Sequence, residues 1–135
     1  MTSAVQLIRS DRLSSVAEYA YAATAPAGAR LVFLAGACPL DEQGRTVAVG
    51  DHRAQAARCM ANLETALAAA GAGLGDLLHT RVLVASSDQA DLVAAWEVVR
   101  AAMGDHDVPS TLTGVTVLGY DDQLVEVEGV AALVD

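Results

Sequence analysis

The sequence predicts one α+β domain over residues 1–135, from its length, two stretches of helical apolar periodicity, and six short runs of strand character around them. Domains peak near ~100–150 residues, so a chain of this length holds one core. The predicted order is β-β-β-α-β-α-β-β. Each helix follows a strand, and right-handed crossovers then place both helices on one face of a single six-stranded sheet.

Val5–Ile8 reads as a short strand, and Glu18–Ala23 as a second, ended by the turn Pro26-Ala27-Gly28. Leu31–Ala35 is a third strand, apolar on both faces. After the turn Asp41-Glu42-Gln43-Gly44, Asp51 is placed to cap a long helix. Its apolar stripe runs through Ala56, Met60, Leu63, Leu67 and Ala70, and Gly71 and Gly73 end it. Leu77–Ala85 alternates, with Thr80, Val82 and Val84 on one face and His79, Arg81 and Leu83 on the other. Ser86-Ser87-Asp88 caps a second helix with the stripe Leu92, Ala95, Val99 and Ala102, stopped at Gly104. Thr111–Leu118 and Gln123–Val134 close the chain as two strands, expected to form a hairpin across Gly119-Tyr120-Asp121-Asp122.

Composition narrows the function. Seventeen acidic against eight basic residues give a net charge of −9, which repels a phosphate backbone, and no Lys/Arg cluster reverses this locally. Nucleic acid is therefore not an expected partner. No run approaches the ~18 apolar residues of a membrane span, and the first residues lack a basic start followed by an apolar core. A cytoplasmic protein is expected, with its two cysteines reduced. Cys59 falls on the first helix's apolar stripe and reads as core. Cys38 lies in the loop Gly36-Ala37-Cys38-Pro39 after a strand, where a thiol can line a pocket or serve as small buried filler. The histidines show no metal-ligand spacing.

With both helices on one side, the other sheet face is bare. The doubly apolar strand Leu31–Ala35 would leave more hydrophobic surface in water than soluble monomers usually expose. Self-association with closed symmetry is the economical cover.

Several segments resemble the Rid/YjgF family, also called reactive intermediate or enamine/imine deaminases. Leu31-Val32-Phe33-Leu34-Ala35-Gly36 with Pro39-Leu40-Asp41 is similar to its "VFVSGQIPLD" segment. Asn62-Leu63, Leu67-Ala68-Ala69-Ala70-Gly71, Leu74 and Asp76-Leu77-Leu78 resemble "NLKAILEAAGSSLDDVV". Leu124-Val125-Glu126-Val127-Glu128-Gly129-Val130-Ala131 resembles "LVEIEAIA". The segments come in the family's order at nearly its spacing. The resemblance implies a chorismate-mutase-like fold, a homotrimer with small-molecule clefts between subunits, and hydrolysis of 2-imino or enamine acids to keto acids and ammonia. It implies no metal and no organic cofactor.

It also implies site residues. The family's "PARS" arginine forks onto the substrate carboxylate, and Ser110, within Val108-Pro109-Ser110-Thr111-Leu112, stands where that arginine would be. A charge-assisted hydrogen bond contributes ~1.5–3 kcal/mol, so its loss costs ~10–100-fold in affinity. Activity on ordinary 2-imino acids is thus not expected. Glu126 matches the acidic residue that handles water or a proton at the imine; it shares a strand face with Glu128, where partial desolvation suits acid–base work. Tyr21 or Tyr19 matches the family's early cleft tyrosine, and Trp96 falls where many members carry a cleft asparagine. Thr111 and Cys38 are further candidates to line the cleft. Arg81 replaces the missing anchor if its face points inward. The expected function is hydrolysis of an imine, enamine or related small electrophile lacking a carboxylate; the alternative is a non-catalytic trimer that binds a small metabolite.

Overall fold

The computed structural model describes residues 3–135. Strands β1 (Gln6–Ile8) and β2 (Ala22–Thr24) pair antiparallel as a separate two-stranded ribbon. Strands β3 (Arg30–Phe33), β4 (Leu77–Ala85), β5 (Ser110–Val115) and β6 (Val125–Leu133) form a sheet in the order β3-β6-β4-β5. Helix α1 (His52–Ala69) precedes β4, and helix α2 (Gln89–Met103) joins β4 to the parallel β5. The predicted element order holds. Its six strands are divided between two sheets.

The expected terminal hairpin does not form. The turn at residues 119–122 is present, but β6 passes β5's neighbour and lies between β3 and β4, antiparallel to both. β4 and β6 are the two nine-residue strands, and central positions satisfy backbone groups along both of their edges. The second strand is also shorter than Glu18–Ala23. The Ala20 N–H donates to Asp107 O at 2.7 Å and the Tyr21 N–H to Ile8 O at 3.0 Å, which ties this segment to two different neighbours.

Asp51 caps α1 by accepting from the Ala54 N–H at 3.0 Å. Ala56, Cys59, Met60, Leu63 and Leu67 are buried against the sheet, whereas Ala70, expected in the stripe, is the exposed C-cap. Cys59 is core as expected, its thiol donating to Val125 O at 3.4 Å, and burial pushes it well above the ordinary thiol range. Asp88 caps α2. There Ala95, Val99 and Met103 are buried, and Ala102 is exposed because the last step of the stripe is four residues, not three. Both helices pack with Val82, Val84, Val125, Val127 and Ala131, on one face of the sheet.

On the opposite face Leu31 is 54% and Phe33 75% exposed, beside Val130 and Ala132 on β6. The bare apolar patch predicted from the strand pattern is therefore present on the single chain. Among the described residues no helix is long and apolar enough to cross a membrane.

Candidate functional site

Strand alternation puts Glu126 and Glu128 on the helix-free face, between buried Val125 and Val127 on the other. Across the sheet Glu126 pairs with Leu83, and Leu83 with Thr113; Glu128 pairs with Arg81, and Arg81 with Thr111.

The Glu126 carboxylate sits in a small cradle. Cys38 donates its thiol hydrogen to Oε1 at 3.2 Å, and the Gln123 side-chain amide donates to the same oxygen at 3.2 Å. The other oxygen, Oε2, lies against the Cα of Gly36, where a Cβ would collide with it and stand 2.7 Å from Cδ. Burial, then the hydrogen bond and charge of Glu126, push the Cys38 thiol from 9.0 up to about 11. It is a proton holder rather than a thiolate nucleophile.

Polar side chains of α1 hold this cradle from behind. Asn62 donates from Nδ2 to Cys38 O at 2.8 Å and Leu40 O at 3.0 Å, and Arg58 donates to Leu40 O at 2.9 Å. Fully buried Gln55 accepts from the Leu124 N–H at 2.7 Å and fixes the entry into β6. The backbones of Ala37 and Val127 exchange two hydrogen bonds, at 2.7 and 3.0 Å, and lock the Cys38 loop to the Glu126 strand. Sequence reading missed Gln55, Asn62 and Gln123. Their signal was polar residues on helix or pre-strand positions, and such residues are ordinarily solvated.

The remaining candidates gather elsewhere. Tyr19, Trp96, Ser110 and Thr111, with Leu112, line a recess of about 370 Å³ along β5. Trp96 meets Tyr19 edge-to-face at 6.3 Å and donates from Nε1 to Glu18 at 3.2 Å. Tyr21 meets Tyr19 edge-to-face at 5.9 Å, but its hydroxyl donates to Ser14 O at 2.7 Å and it borders a different depression, with Arg9 and Ser14. The two tyrosines do not share a strand, as both precede β2.

Ser110 and Thr111 point to opposite faces. Ser110 Oγ hydrogen-bonds the buried Thr80 hydroxyl at 2.7 Å, on the side of the sheet that the helices cover. Thr111 shares the face of Glu126, two strands away and two residues out of register, at roughly 12 Å. A guanidinium aimed at that face would have to spring from 111, because Ser110 points to the helix-covered side. Arg81 lies in the same row, half-exposed and only 3.8 Å from Glu128. A depression of about 670 Å³ beside the start of α2 is lined by Ser86, Ser87, Gln89, Leu92, Gly114, Val115 and Thr116, none of them titratable.

Comparison with known proteins bears on the whole chain. A search of curated proteins returns no match. The family model described as Endoribonuclease L-PSP matches residues 9–133. Among solved structures, the Rid family protein YyfB from Yersinia pestis is 25% identical, with a TM-score of 0.86 over 96% of this chain and 99% of that one. Rv2704 from Mycobacterium tuberculosis, of the YjgF/YER057c/UK114 family, is 27% identical with a TM-score of 0.64 over 96% and 99% of the two chains. Escherichia coli TdcF, solved with bound serine, is 24% identical and shares the fold at a TM-score of 0.67 over 96% and 99%. With the motifs in strands β3 and β6 standing where the fold brings them together, the chain belongs to the Rid/YjgF family.

Proposed function

We propose that this protein is a divergent, cytoplasmic Rid deaminase that hydrolyses a reactive imine or enamine in clefts between the subunits of a homotrimer. Family membership over residues 9–133 supports the reaction class. The observation that carries the reading is Glu126: a carboxylate on the uncovered face, one oxygen held by neutral donors and the other left without a protein donor among the described residues.

In this reaction Glu126 takes a proton from water as the water oxygen attacks the imine carbon. Glu126 returns that proton to nitrogen, giving a carbinolamine, then carries the carbinolamine hydroxyl proton to the same nitrogen as the C–N bond breaks, so that a carbonyl and ammonia leave. A base within hydrogen-bond reach of that water is the only acid–base group the step requires. Neither Ser110 nor Thr111 carries charge, so the favoured substrate is an imine without a carboxylate. The exposed Leu31 and Phe33 are the surface that trimer formation would cover. A second reading, a trimer that binds a small metabolite without turnover, is favoured by the aromatic recess, which stands apart from Glu126. The ribonuclease named in the family description fits poorly with a net charge of −9.

Imines generated in place by amino-acid and amine oxidases test the proposal through ammonia release with and without the protein. Faster release from amine-derived imines, lost in Glu126→Ala, is the expected result. If the protein accelerates none of them, it is the binder.

A further inference from the structure

We infer that Gln123 and Cys38 are positioning residues that clamp one oxygen of Glu126 and thereby select Oε2 as the oxygen that meets water. This inference rests on the proposed role of Glu126. Gln123 lies just before β6 and is only 4% exposed. Its amide orientation is set by three contacts. The Tyr120 N–H donates to its Oε1 at 3.1 Å, which turns the NH2 toward two acceptors, Val125 O at 3.1 Å and Glu126 Oε1 at 3.2 Å. A flipped amide would set oxygen against two oxygens and nitrogen against an N–H.

Cys38 closes on Oε1 at 3.2 Å from the Gly36–Leu40 loop, which Asn62 and Arg58 hold. Held up at about 11, the thiol keeps its hydrogen at neutral pH and remains a donor. Both donors are neutral, so they orient the carboxylate without cancelling its charge, as an arginine would. Oε2 rests over Gly36, takes no protein donor among the described residues, and is not one of the enclosed polar atoms that lack a partner. The carboxylate thus has one saturated oxygen and one open oxygen. That asymmetry fixes the direction from which water is activated, and a general base depends on such geometry first.

The test uses the full-length protein and two readouts. The first is the pH profile of kcat/KM on the imine turned over fastest, for Gln123→Met, Gln123→Glu, Cys38→Ala and Cys38→Ser. Gln123→Met is expected to lose roughly 10–100-fold in kcat with little change in KM. Gln123→Glu, of the same shape but bringing a second carboxylate, should move the acid limb about a unit or more to higher pH. Cys38→Ser, which keeps a donor, should lose less than Cys38→Ala. A merely structural role would lower stability in these variants without moving the pH profile.

The second readout is alkylation of Cys38 by iodoacetamide at about pH 9, followed by mass spectrometry with buried Cys59 as the internal reference. Glu126→Gln removes the charge beside the thiol and should speed Cys38 alkylation roughly tenfold. An active wild-type protein whose pH profile is the same in both Gln123 variants overturns the positioning role and leaves the deaminase reading standing. Unchanged alkylation in Glu126→Gln overturns the Cys38 arm independently of any turnover. A wild-type protein inert to every imine removes the reaction itself, a different result from either of these.

Discussion

Gly36 is the residue where the least chemistry has the most consequence. Its missing side chain is the space that the Glu126 carboxylate occupies. Gly36→Ala should displace that carboxylate by about 1 Å and lower kcat/KM by roughly 100-fold, with a melting temperature close to wild type; a steady-state assay beside a thermal melt checks both. At the next position of interest, Thr111→Arg should raise activity on carboxylate-bearing imines roughly tenfold or more, because it puts a fork on the face of Glu126. Ser110→Arg should not, since it would force a guanidinium beside Thr80 under α2 and destabilise the fold. Cys38 carries a pH signature. Below pH 9.0 the folded and unfolded thiols both keep their proton; as the pH rises toward 11 the unfolded thiol ionises first, so stability is lost across that window. Denaturant titrations should show a shallower loss between these pH values for Cys38→Ser than for wild type.

Elements were more legible than their pairing. Both helices lie where periodicity and caps put them, because Asp51 and Asp88 satisfy N–H groups that a helix start leaves open. Asp51→Ala should cost about 1 kcal/mol, or roughly 3–5 °C in a thermal melt. Asn62 lies on the same helix with a different duty: it ties down the loop that bears Cys38. The expected hairpin failed for a reason of energy. A turn at residues 119–122 permits β5 and β6 to pair, but β6 gains backbone partners on both edges by lying between β3 and β4. Local turn chemistry cannot weigh that alternative.

At the scale of the molecule, the exposed pair Leu31 and Phe33 sets the expectation for assembly. An unpaired apolar patch on a sheet face is stable in water when another surface covers it. Phe33→Asp should therefore shift the protein from oligomer toward monomer in analytical ultracentrifugation and, if the clefts lie between subunits, take imine turnover with it. A wild-type chain that sediments as a monomer would sink the inter-subunit cleft while leaving the fold untouched. The acidic surface works alongside: a net charge of −9 favours small neutral or cationic ligands over polyanions.

The sequence by itself determined the element order, the two buried helical stripes, the apolar sheet face and the family, because each rests on local periodicity or on residues adjacent in the chain. It also marked Glu126 and Cys38, though not that they touch. Tertiary structure alone decided that β6 is central, that Ser110 faces the helices while Thr111 faces outward, and that Gln123, Cys38 and Gly36 meet around one carboxylate. Those contacts join residues up to 90 positions apart (126 minus 36), and nothing in a local pattern encodes a distance through space.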